Sequence, residues 1–64
     1  MTWQTFLKQH MKAKGWNAVE LAEATFGLVS VSAVHAWQQG ARLHPQPAQR
    51  ALVEKALGAE WDEQ

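Results

Sequence analysis

The sequence predicts an all-α fold, a compact bundle of four to five short helices, and three observations carry that expectation. Apolar residues recur at three- and four-residue spacing in four separate segments. A helix-opening residue (Thr2, Asn17, Ser30 or Pro47) starts each segment, and a glycine (15, 27, 40 or 58) follows each one. No stretch offers a strand candidate of weight, and no repeat, linker or low-complexity segment divides the chain. Residues 1–64 therefore read as a single domain.

Thr2 is placed to cap a first helix whose inner face is Trp3, Phe6, Leu7 and Met11, running to Lys14. Gly15 ends it, and lysines in its last turn suit the negative end of the helix dipole. Asn17 with Glu20 three residues later has the form of a capping box. It opens a helix whose expected buried face is Val19, Leu21, Ala22 and Phe26, with Ala22 small enough for a close helix crossing. Gly27 breaks that pattern.

Residues 29–45 read V-S-V-S-A-V-H-A-W-Q-Q-G-A-R-L-H-P and are the most informative run in the chain. Ser30 is a natural N-cap, Val34 and Trp37 share one face, and Gly40 supplies the stop. Ser32, His35, Gln38 and Gln39 project away from that face. Two short amphipathic helices joined by a turn predict a helix-turn-helix, which lays its second helix in the DNA major groove. After a loop containing Pro45, Pro47 begins a last helix expected to bury Ala48, Ala51, Leu52 and Leu57, and Trp61 packs back on the core.

Composition narrows the chemistry. A chain of 64 residues buries only about 60% of the surface its unfolded form exposes. Four tryptophans spread along it therefore read as compensation for a small core. There is no cysteine, so disulfides and thiolate metal sites are excluded, and His10, His35 and His44 lack zinc-ligand spacing. No cofactor or small-molecule ligand is implied. No apolar run is long enough for a membrane span, and the N-terminus lacks the pattern of a secretory signal, so a cytoplasmic location is expected. No Ser/His/Asp or Cys/His set assembles, and no glycine-rich phosphate loop exists, so the chain does not read as an enzyme.

Charge pulls the other way from the helix-turn-helix. Six basic residues balance six acidic ones, and residues 30–39 hold no lysine or arginine. A strongly basic surface is the usual mark of a nucleic-acid binder. The distribution is more favourable than the total: Lys8, Lys12 and Lys14 precede the second helix, Arg42 and Arg50 flank the glycine-proline corner, and Glu60, Asp62 and Glu63 gather at the C-terminus.

The array Leu21-Ala22, Val29-Ser30, Ser32, Val34, Trp37, Gly40 and Pro45, with Ala56-Leu57-Gly58 and Trp61 beyond, resembles the Cro/repressor-type (XRE-like) helix-turn-helix proteins of phages and bacteria. The likeness spans roughly residues 6–63 and rests on the combined register, not on one diagnostic position. It departs from the family's pattern twice. About two extra residues lie between Ala22 and Val29, and Gln38 and Gln39 stand where the family often has glutamate and arginine.

The resemblance implies a lambda-repressor-like bundle and a sequence-specific DNA-binding transcriptional regulator. The simplest form is a small phage or bacterial repressor holding operator DNA as a homodimer. On that likeness Val31, Ser32, His35 and Ala36 face the bases, with Val31 and Ala36 suited to thymine methyl groups. Asn17, Ser30, Gln39, Arg42, His44 and Gln46 would meet phosphates, and Arg42 is the foremost of them. Val34 and Trp37 are core residues.

So few cations per subunit imply weak binding by one copy, because each neutralised phosphate contributes about 0.9 to the log–log salt slope. A dimer doubles the contacts. Leu52, Val53, Leu57 and Trp61 are the expected interface, or else simply complete the core. The alternative function is a helix-turn-helix scaffold serving as a protein-interaction module, or a phage-encoded inhibitor of a host protein. Zero net charge and a third helix without cations favour that reading.

Overall fold

A computed structural model describes residues 1–62. Glu63, counted above in the acidic C-terminus, lies outside the described residues. Four helices follow one another: α1 (Trp3–Lys14), α2 (Ala18–Ala24), α3 (Val31–Gln38) and α4 (Pro47–Leu57). They make an all-α globule of 28 × 21 × 20 Å, with no strand among the described residues.

The helix starts follow the sequence. Thr2 accepts the Thr5 N–H at 3.1 Å, and Ser30 accepts the Ala33 N–H at 3.1 Å. At α2 the capping box is complete: Asn17 Oδ1 accepts from the Glu20 N–H at 2.9 Å, and Glu20 Oε1 accepts from the Asn17 N–H at 3.0 Å. Pro47 is the first residue of α4.

The helix ends share one device. A residue with positive φ follows each helix, and the next N–H reaches back to a carbonyl five residues earlier: Trp16 to Met11, Gly27 to Ala22, Ala41 to Ala36 and Ala59 to Glu54. Glycine takes the left-handed position at three of these ends. After α2 it is Phe26, at φ 58°, the one non-glycine residue with positive φ among those described. A side chain there sits against the following carbonyl, at a cost of about 1–2 kcal/mol.

Trp3 is the hub of the core. It stacks on Phe6 at 5.4 Å and meets Trp37 and Trp61 edge-on at 5.5 and 5.1 Å. Leu7, Met11, Leu21, Val29, Val34, Val53 and Leu57 fill the space around these rings. The indole nitrogens of Trp3 and Trp37 are buried with no hydrogen-bond partner, so ring packing alone holds both side chains.

Two expected faces are rotated. In α2 the inward stripe is Ala18, Leu21 and Ala22, continued by Thr25, a stripe of three- and four-residue separations that leaves Val19 about a quarter turn away and 49% exposed. Phe26, expected in that face, lies past the helix end and points outward. In α4 the stripe is Val53 and Leu57, with Leu52 half-buried beside it, while Ala48 and Ala51 are exposed. Alanines carry too little apolar area to set the rotation of a helix against larger neighbours.

The C-terminal segment is strapped down. Arg50 Nη2 donates to the Trp61 carbonyl at 2.7 Å, the Trp61 N–H donates to Glu54 Oε2 at 2.6 Å, and Trp61 Nε1 donates to the Met1 carbonyl at 3.0 Å. Val53, Leu57 and Trp61 are thereby buried within one copy. Of the two roles expected for them, these three take the second and complete the core.

Candidate nucleic-acid interface

The candidate surface is built on α3. Ala33, Val34 and Trp37 are buried, which fixes the rotation of an eight-residue helix and turns Ser32, His35 and Gln39 outward at three- and four-residue spacing. Ala36 is half-buried along the same stripe. Val31, expected to face bases, is half-buried against the core, so only part of its side chain remains outward.

Beside the Trp3–Trp37 packing, two side-chain hydrogen bonds hold α3 to α1. Gln4 Nε2 donates to the Gln38 carbonyl at 2.7 Å, and Gln38 Nε2 reaches Met11 Sδ at 3.6 Å. Gln38, expected to project outward, is half-buried and belongs to the scaffold. Gln4 also closes over the turn after α3, since a Cβ added at Gly40 would lie 3.4 Å from its Oε1. These links were not legible in the sequence, because a glutamine thirty-four residues away carries no pattern that announces its partner.

The turn between α2 and α3 is locked by one buried hydroxyl. Thr25 Oγ1 donates to the Ala22 carbonyl at 2.7 Å and accepts the Val29 N–H at 3.1 Å. The turn is thus a bonded corner in which the N–H of every residue from Thr25 to Val29 finds an acceptor.

At the other end of α3 the chain is tied back on the helix. Both the Ala41 and Arg42 N–H groups donate to the Ala36 carbonyl, at 2.9 and 3.3 Å. That pairing places the exposed Arg42 beside the C-terminal end of the Ser32–His35–Gln39 stripe. Arg50, the other cation flanking this corner, is committed elsewhere: its guanidinium pairs with Glu54 at 3.4 Å and lies 4.9 Å from the Trp61 ring centre.

The remaining positions divide. Ser30 is exposed, and its hydroxyl is engaged as the α3 cap. Asn17 is likewise exposed and engaged in its capping box. His44 is exposed, with its ring 6.0 Å from that of Trp61. Beside it a cleft of about 370 Å³ opens between the N-terminus, Leu43 and Trp61. Gln46 is the N-cap residue of α4 but makes no side-chain capping bond. The fold therefore joins Ser32, His35, Ala36, Gln39 and Arg42 into one surface, and carries His44 and Gln46 on toward α4.

Comparison with protein-family models, curated proteins and solved structures finds no match to this chain. The surface has to be judged on its own chemistry. No helix among the described residues is long and apolar enough to cross a membrane, and no cluster of potential metal ligands occurs among them.

Proposed function

We propose that the chain is a sequence-specific DNA-binding regulator, a small repressor that holds operator DNA through α3. One observation carries this reading. A short helix with its apolar face fully in the core presents a narrow stripe of small and hydrogen-bonding side chains, Ser32, His35, Ala36 and Gln39, with Arg42 tied to its end. The major groove admits an α-helix, and the helix's outward side chains are what reach the base edges. Serine, histidine and alanine there offer hydrogen bonds to base edges and contact with a thymine methyl. Arg42 and Gln39 supply the phosphate contacts that set register, and the Ser30 end of α3 presents backbone N–H groups.

The low charge shapes the mechanism. With no lysine or arginine within α3, little affinity comes from non-specific attraction. Base contacts and a second copy of the chain must supply the rest. The direct test is a gel shift on the DNA upstream of the chain's own gene, across a salt series, with Arg42→Ala and Ser32→Ala beside the wild type. Full affinity in both variants removes this surface from the reading.

A second reading, a protein-interaction module or an inhibitor of another protein, is favoured by one observation of its own. Phe26 and Leu28 stand exposed at the turn before α3. Absence of any DNA shift at low salt, with a specific protein bound instead, would promote it.

A further inference from the structure

Phe26 is the most conspicuous side chain on the surface. It is 89% exposed, Leu28 two residues on is 67% exposed, and the backbone holding Phe26 outward sits at φ 58°. Glycine occupies the equivalent position after the other three helices. A strained backbone that displays a phenyl ring to water is unfavourable twice over in an isolated copy. The corner is nonetheless rigid, because Thr25 bonds both of its sides. The extra length of this turn and the exposed ring are the same feature.

Beside the ring lies its complement. A cleft of about 430 Å³ runs between the turn and α4, walled by Ala24, Phe26, Leu28, Leu52, Lys55 and Ala56. The projection and the hollow share one face of one molecule. That is the requirement for a two-fold contact in which each copy gives and receives the same group. We infer that this face joins two copies of the chain, the Phe26 of each seated in the cleft between the turn and α4 of the other.

Three further points favour a second copy over another occupant. Of the residues expected to pair copies, Val53, Leu57 and Trp61 are enclosed within one, while Leu52 is half-buried and lines this cleft. Glu23 just before the turn and Lys55 in the cleft wall are both exposed, so a two-fold pairing sets an acidic residue on each side against a basic one. Zero net charge leaves no overall repulsion to overcome. Phe26 and Leu28 together offer roughly 250–300 Å² per copy, and with the matching walls the contact totals about 1,000 Å². That is the low end for specific interfaces, so the dimer is weak and reversible.

The inference rests on the regulator reading only for why two copies are needed, and its test contains no DNA. Sedimentation equilibrium of the whole chain over a concentration series should show monomer and dimer. Phe26→Gly relieves the backbone while deleting the ring, so it should melt at the same or a higher temperature. Its dimer dissociation constant should rise about 30-fold or more, as for loss of an aromatic anchor. Lys55→Glu should weaken the dimer, and adding Glu23→Lys should restore it. A wild type monomeric at every concentration overturns the inference, even if this patch holds a helix of another protein. So does a Phe26→Gly variant that associates like the wild type. A dimer that never shifts DNA retires the regulator reading alone, and a monomer that does shift DNA retires the interface alone.

Discussion

Thr25 accepts the Val29 N–H at 3.1 Å while its hydroxyl proton goes to the Ala22 carbonyl at 2.7 Å, so one side chain joins the end of α2 to the start of α3. Both bonds are buried, and Thr25 is 2% exposed. Valine has the same shape without the hydroxyl. Thr25→Val therefore leaves the Val29 N–H unpaired in the interior, a loss of about 1–3 kcal/mol. Chemical denaturation should show a lowered midpoint with an unchanged slope. The helix content of the native state should remain, because the Ala22 carbonyl at the end of α2 also accepts the Thr25 and Gly27 N–H groups.

Asn17 acts through its side-chain oxygen on the Glu20 N–H. Replacing it with alanine should cost about 1 kcal/mol, whereas aspartate, which keeps the accepting oxygen, should hold the stability. For a domain of this size 1 kcal/mol shifts the melting temperature by roughly 4–8 °C. Thermal melts of Asn17→Ala and Asn17→Asp compare the two directly. Equal losses in both would mean that the cap contributes nothing.

Helix starts and stops were legible in the sequence because each is a local matter. The caps at Thr2, Asn17 and Ser30, and the glycines that follow α1, α3 and α4, act within four or five residues of themselves. Rotation of the helices was less legible. Ala48 and Ala51 were expected inside by spacing, yet the larger Val53 won the interior, and Val19 turned outward because Leu21, Ala22 and Thr25 set a register that buries Ala18 instead. For the candidate surface, the outward turn of Ser32 and His35 followed from the register of α3, whereas Arg42, in the loop beyond it, was named only through the resemblance. The scaffold beneath it did not, since Gln4 and Gln38 bond across the fold. Phe26 was misassigned for a definite reason: it continues an apolar pattern in sequence, but the chain has already turned left-handed there.

Arg50 and Glu54 hold Trp61 from two sides, one at its carbonyl and one at its N–H. Both are part-buried, and Glu54 Oε2 also faces the Arg50 Nε at 3.4 Å. Glu54 Oε2 accepts from both the Trp61 N–H and the Arg50 Nε, so loss of its charge weakens two charge-assisted bonds at once. Glu54→Gln should therefore lower stability by about 1–3 kcal/mol. It should also expose the Trp61 indole, shifting its fluorescence to longer wavelength ahead of global unfolding. A melt and emission spectrum identical to the wild type would show that ring packing against Trp3 holds this segment unaided.

Arg42 and Ser32 sit on one surface but should fail differently. A phosphate contact lacks sequence information, so Arg42→Ala should weaken operator and unrelated DNA alike. It should also reduce the magnitude of the log–log salt slope by about 0.9 for each subunit bound. A base contact carries information, so Ser32→Ala should lower operator affinity by about 1 kcal/mol or more and leave unrelated DNA unchanged. Both side chains are exposed, and neither caps a helix, so their melts should match the wild type within about 0.5 kcal/mol. Salt-dependent binding curves on operator and scrambled duplexes separate the two roles. If Arg42→Ala discriminates between the duplexes and Ser32→Ala does not, the assignment of α3 to the bases and its following loop to the backbone is reversed.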